Sequence, residues 1–213
     1  MKKKFLSLMM AAAVVATTSV SAFAANVTGS DENEAQTDVT ITGNVQDDLG
    51  HDAAGTFKVT VPTTASFTVT KTGAFLGTDL EISNEGSQNI DVYAYQFVDK
   101  SGSDKINVVK EEQVTNSQSS VDRATVSMKL TNGGKVAYLR TDNKGGVYAD
   151  ESVDTAASTP GVKLLNLTSG SELAPKKGKI KLEGKAGQAT QIQGGKAVSD
   201  EFTLTLKIKK ADN

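Results

Sequence analysis

The chain has 213 residues, 38% of them hydrophobic and 23% charged, with a formal net charge of −2, one His, no Cys and no Trp. That length supports one domain with a real core, or two small ones. Without Cys there is no disulfide, no thiol nucleophile and no lipid anchor on an N-terminal Cys, and one His cannot complete a zinc site.

The first 24 residues read as a secretory signal peptide. Lys2, Lys3 and Lys4 give a positive start, Phe5 to Val20 is apolar, and Ala22-Phe23-Ala24 offers the small-x-small pattern for cleavage before Ala25. The apolar run falls short of the ~20 residues a bilayer core needs, and no second one follows, so no membrane span is expected. No LPxTG-like motif is present. The expected product is a secreted protein, released or held at the cell surface by non-covalent contacts.

Residues 26–37 are polar and acidic and predict a flexible arm. Residues 25–50 are assigned to this arm, with a candidate exchangeable strand at 38–45 (Val39, Ile41, Val45), and residues 51–213 to the folded domain. Phe57, Val59 and Val61 alternate with polar residues until Pro62; Phe67 with Val69 and Leu80 with Ile82 predict two more strands. Residues 89–98 (NIDVYAYQFV) predict a central strand, Ile90, Val92, Ala94 and Val98 on one face and Tyr93, Tyr95 and Phe97 on the other. Extended structure resumes at Ile106, Val108 and Val109. Residues 110–123 read as a loop or one helical turn. Val126, Met128 and Leu130 lead to a tight hairpin at Asn132-Gly133 before Val136 and Tyr138. Residues 141–161, 168–178 and 184–200 read as loops, with strands at Leu164–Leu167 and Ile180–Leu182 between them. The chain closes on a strand carrying Phe202, Leu204, Leu206 and Ile208 on one face.

Ten to twelve short strands without an amphipathic helix predict an all-β fold, a β-sandwich of jelly-roll or Ig-like type. After removal of the signal the net charge is −5 (20 basic against 25 acidic residues), which gives no basic footprint for nucleic acid. The charge is split. Residues 25–160 carry −10 and residues 161–213 carry +5. Interleaving of strands from the two parts is expected to cancel this polarity in space.

Catalytic constellations are missing. His51 sits in a polar Asp-Gly loop, no Ser lies in a G-x-S-x-G elbow, and no Gly pair precedes a helix that would hold phosphate. The chain is expected to be a non-enzyme without cofactor. Asp47-Asp48 with Asp52, Asp99 with Asp104, and Asp150-Glu151 with Asp154 are the oxygen-rich loops open to calcium. None follows the D-x-[DN]-x-[DN]-G pattern, and Asx-turns account for them more simply. Two features remain. The Tyr93/Tyr95/Phe97 stripe is a candidate contact face, with a covered core layer the favoured reading. Residues 38–45, behind a flexible arm, are a candidate self-assembly strand that either adds to a neighbour's sheet or pairs within its own subunit.

The run at 59–99 resembles a pattern of secreted Firmicutes surface and extracellular-matrix proteins. Its marks here are Val61-Pro62-Thr63, Gly73, Ile82-Ser83-Asn84-Glu85-Gly86 and Ile90-Asp91-Val92, together with the closing FTLTLKI. The likeness extends distantly to TasA-type fibre proteins, although their opening pattern and a terminal Trp-x-Leu motif are absent. The resemblance implies an exported β-sandwich at the Gram-positive wall or in a biofilm matrix, and transfers no site residue. The expected function is a cell-surface or matrix structural protein, self-associating as a homo-oligomer or fibre by donor-strand addition. The alternative is a non-catalytic module that binds cell-wall polymer or extracellular glycan.

Overall fold

A computed structural model describes residues 24–28, 34–40, 58–70, 72–102, 105–114, 124–141, 146–187 and 199–211, with side chains described from residue 58 onward. Within these residues the protein is an all-β sandwich. Its strands are β1 (Ala24–Thr28), β2 (Glu34–Thr40), β3 (Lys58–Pro62), β4 (Phe67–Val69), β5 (Phe75–Gly77), β6 (Asp79–Asn84) and β7 (Ile90–Asp99). They continue as β8 (Ile106–Val108), β9 (Ala124–Asn132), β10 (Lys135–Arg140), β11 (Gly146–Tyr148), β12 (Val162–Leu167), β13 (Lys176–Ala186) and β14 (Phe202–Lys210). One sheet runs β1-β3-β6-β13-β9-β10-β11, with β8 parallel to the start of β9; the other runs β12-β7-β14-β2. The hairpin β4-β5 stands apart.

Alternation explains the core. Phe202, Leu204, Leu206 and Ile208 of β14 are all fully buried, as are Leu80 and Ile82 of β6 or nearly so, and they join one continuous apolar cluster with β3, β7, β9, β10, β12 and β13. A period of two puts every second residue on the inner face, and each large side chain so buried contributes about 1.5–3 kcal/mol. Gly178 faces this core because a Cβ there would come within 2.7 Å of Leu165.

The hairpin between β9 and β10 closes on the pair Asn132–Lys135, with Gly133 at φ +58. Residues 111–113, read as loop or helical turn, form a single 3-10 turn. Strands β5 and β11, three residues each, and both ends of β13, at 176–178 and 184–186, lie where alternation is too short, too charged or too glycine-rich to mark a strand.

The charge split is spent inside the fold. The lysine-rich β13 lies between β6 and β9, and Lys177 meets Glu81 at 2.9 Å and Lys179 meets Asp79 at 3.8 Å. On the other sheet Lys163 of β12 meets Asp91 of β7 at 2.5 Å.

One aromatic expectation needs correction. Opposite β14, Gln96 pairs with Thr205 and Ala94 with Leu206, so Tyr95 is an extra residue in β7. A bulge of one residue exchanges the faces beyond it. Phe97 therefore leaves the Tyr93/Tyr95 face for the core, is fully buried, and stacks on Phe202 at 5.3 Å. Phe67 lies 6.4 Å from Phe202 and stacks on Phe75 at 5.0 Å, so the β4-β5 hairpin extends a four-ring aromatic row.

Candidate functional site at the lateral edges

Both sheets end, on one side of the sandwich, in strands of the N-terminal segment. β1 is the last strand of the larger sheet and pairs antiparallel with β3, from Ala24 opposite Pro62 to Thr28 opposite Lys58. β2 is the last strand of the smaller sheet and pairs with β14, from Glu34 opposite Lys209 to Thr40 opposite Thr203. The two strands are in contact with each other. Five residues, 29–33, separate them, and seventeen, 41–57, separate β2 from β3.

Of the candidate self-assembly residues, Val39 is placed in β2 opposite Leu204; Ile41 and Val45 lie outside the described residues. The strand starts at Glu34, earlier than the expected 38. Residues 24–28, assigned to signal and arm, have the backbone of a paired strand. The leader 1–23, His51, Asp47, Asp48, Asp52 and Asp104 also lie outside the described residues.

The opposite side is closed by other means. β11 has three residues, and the carbonyl of Val147 accepts from the Ala157 N–H at 2.7 Å, so the following loop returns along it. Arg140, 2% exposed, holds that loop. Its Nη1 donates to the Val153 carbonyl at 2.8 Å, Nη2 donates to the Glu151 carbonyl, and the guanidinium lies 4.1 Å from the centre of the Tyr148 ring. Asp154 adds an ion pair to Lys110 at 2.8 Å and one to Arg140 at 3.6 Å. The other end of the smaller sheet is β12, which packs against β9, β10 and β13 and whose pairing with β7 slips between Lys163 and Leu165. A bulge, a lysine and a very short strand are devices that stop an edge from templating another chain.

On the outer face of β7, Tyr93 and Tyr95 are half-buried, and the ammonium of Lys207 sits 5.5 Å from the Tyr95 ring centre. Beside them Asp91 is buried; one oxygen accepts from Lys163 and the other from the Asn166 amide at 2.7 Å.

The carboxylates in loops work as turn acceptors and ion-pair partners. Asp99 accepts from the N–H groups of Ser101 and Gly102 at 2.8 and 2.9 Å, and Asp150 accepts from the Ser152 N–H and hydroxyl, both at 2.8 Å. Those two hydrogen bonds hold the Asp150 carboxyl below the usual range; Lys110 does the same for Asp154, Lys177 for Glu81 and Lys58 for Glu172. An open groove of about 600 Å³ runs past Lys110, Glu111, Asp150, Glu151 and Lys185, and its charges are already engaged with one another. Lys185 meets Glu111 at 3.3 Å, and the Glu111 N–H donates to Glu151 at 2.7 Å. Among the described residues, no group of three or more His, Asp or Glu is placed to hold a metal, and no helix is long and apolar enough to cross a membrane.

Sequence reading passed over two polar residues that organise the edges. Arg140 ends an alternating strand, and nothing local announces the returning loop. Asp200, buried just before β14, accepts from the N–H groups of Lys105, Ile106 and Glu201 and from the Ser101 hydroxyl, joining the β7–β8 connection to the start of β14. Compared with protein-family models, curated proteins and solved structures, the chain matches none.

Proposed function

We propose that this chain is a secreted structural subunit of a bacterial cell surface or extracellular matrix, and that its copies join by strand addition through the N-terminal segment. One observation carries the reading: residues 24–40 supply the terminal strand of both sheets on the same side of the sandwich. Such a segment leaves both sheets otherwise intact when it goes, and leaves open the edges of β3 and β14 for an identical segment from another copy. The seventeen residues at 41–57 reach up to about 60 Å when extended, against a domain diameter of about 40 Å, so the tether is long enough to serve a neighbour.

The absence of native Cys makes a direct test available. Thr40 lies opposite Thr203 in the β2–β14 ladder. In the mature protein, Thr40→Cys with Thr203→Cys is oxidised after concentration and run without reductant, beside electron microscopy of the same sample. Strand addition gives covalent multimers in a ladder, and filaments. A product that is monomer alone would show that β2 belongs to its own subunit and would sink the reading. The glycan-binding alternative is weaker, since Phe97 has left the proposed platform and Lys207 sits against the Tyr95 ring.

A further inference from the structure

The edge strand of the larger sheet begins where the leader is read to end. Ala25 lies opposite Val61, and Ala24 opposite Pro62. Lys58 accepts from the Glu85 N–H on the β6 side, so by alternation Val59 and Val61 turn their backbone groups to β1, and Val61 is the last residue of β3 to do so. The last pair with donors on both sides is thus Ala25–Val61, and Ala25 is also the first residue after the predicted cut. The bond to be cut therefore sits at the rim of the β1–β3 ladder.

A peptidase that reads small side chains before the bond must hold that segment extended inside its own cleft, which surrounds it. Strand β1 on the sandwich has β3 along one flank and β2 in contact. The backbone of Ala24 and Ala25 cannot occupy both environments, because docked β1 leaves no room for the cleft's walls.

We propose that cleavage at Ala24–Ala25 and docking of β1 on β3 exclude one another, so that leader removal precedes closure of this edge. The inference rests on the leader and on the role assigned to residues 24–40. It adds an order of events: the segment leaves processing unpaired, free to close its own β3 and β14 or a neighbour's. A precursor that folds first and seats β1 is protected from the peptidase.

The test uses the refolded full chain 1–213 and a synthetic peptide of residues 15–32, each treated with a purified bacterial signal peptidase and followed by mass spectrometry. The peptide is expected to be cut between Ala24 and Ala25. The folded chain is expected to be cut at least about tenfold more slowly, because cutting tracks the fraction with β1 detached. Asn26→Pro with Val27→Pro removes a ladder N–H at one position or the other, since adjacent residues alternate across an antiparallel pair. That variant is expected to be cut at nearly the rate of a peptide bearing the same substitutions. A wild-type chain cut as fast as its peptide overturns the proposal, as does a proline variant still protected. A peptide that is never cut at Ala24–Ala25 overturns the leader reading itself, and the proposal with it.

Discussion

The two lateral sides of the sandwich solve the same problem differently. At β11 the edge is short and a loop held by Arg140 returns along it, and at β12 the pairing with β7 is bulged. At β1 and β2 the edge is a separate segment laid along both sheets and joined to the body by residues 41–57. An edge guarded by devices of its own is closed permanently; an edge guarded by a tethered strand can be opened and filled by an equivalent strand. On the proposed function, self-association belongs to one side of the molecule and stability to the other.

Removing the clamp has the largest expected effect. Arg140→Leu leaves the Val153 and Glu151 carbonyls without their donor and removes the stack on Tyr148. The expected cost is about 3 kcal/mol, seen as a thermal midpoint lower by roughly 6–12 °C. Disulfide ladders from the Thr40/Thr203 cysteine pair persist in this background below its midpoint. A midpoint that does not move would mean that Arg140 does not hold this edge.

Breaking the other side reverses the pattern. Proline at Thr37 or at Asp38 removes one N–H from the β2–β14 ladder at one position or the other. The expected loss of stability is about 1 kcal/mol, a midpoint shift of roughly 2–4 °C. The disulfide ladder and the filaments, by contrast, disappear. Filaments that survive proline at both positions would move the assembly contact away from β2.

What the sequence shows, and what it hides, follows the same division. The core of β6, β7, β9 and β14 is legible because burial on one face forces strict alternation, as in Phe202, Leu204, Leu206 and Ile208. β13 is only half legible: its outward positions are lysine and glutamate, and its inner row includes Gly178 and Gly184, which carry no apolar signal. The Tyr93/Tyr95/Phe97 stripe is misleading because a one-residue bulge leaves no mark in composition, yet it transfers Phe97 to the core. β1 and β2 are the hardest to read. Residues 26–28 and 34–37 have the composition of an arm, alternation marks a strand only from Asp38, and the partners β3 and β14 give the rest its strand geometry. Arg140 and Asp200 act through backbone groups distant in sequence, which no local pattern records.

Acid gives the smallest and most selective comparison. Asp154, paired with Lys110, and Asp150, holding the Ser152 turn, both titrate below the ordinary carboxylate range, and both belong to the clamped loop. A carboxyl whose value is lowered on folding stabilises the fold above its unfolded value of about 4, and that contribution is lost as pH falls through the lowered value. Both groups are solvent-exposed and screened, so the loss is a modest one. Between pH 6 and pH 3 the loop 149–158 is expected to lose hydrogen-exchange protection, after correction for intrinsic rates, while the amides of β14 keep theirs. Lys110→Met removes part of that pH dependence, because it takes away the main cause of the low Asp154 value. Equal loss of protection on both sides at pH 3 would show that the two edges open together rather than separately.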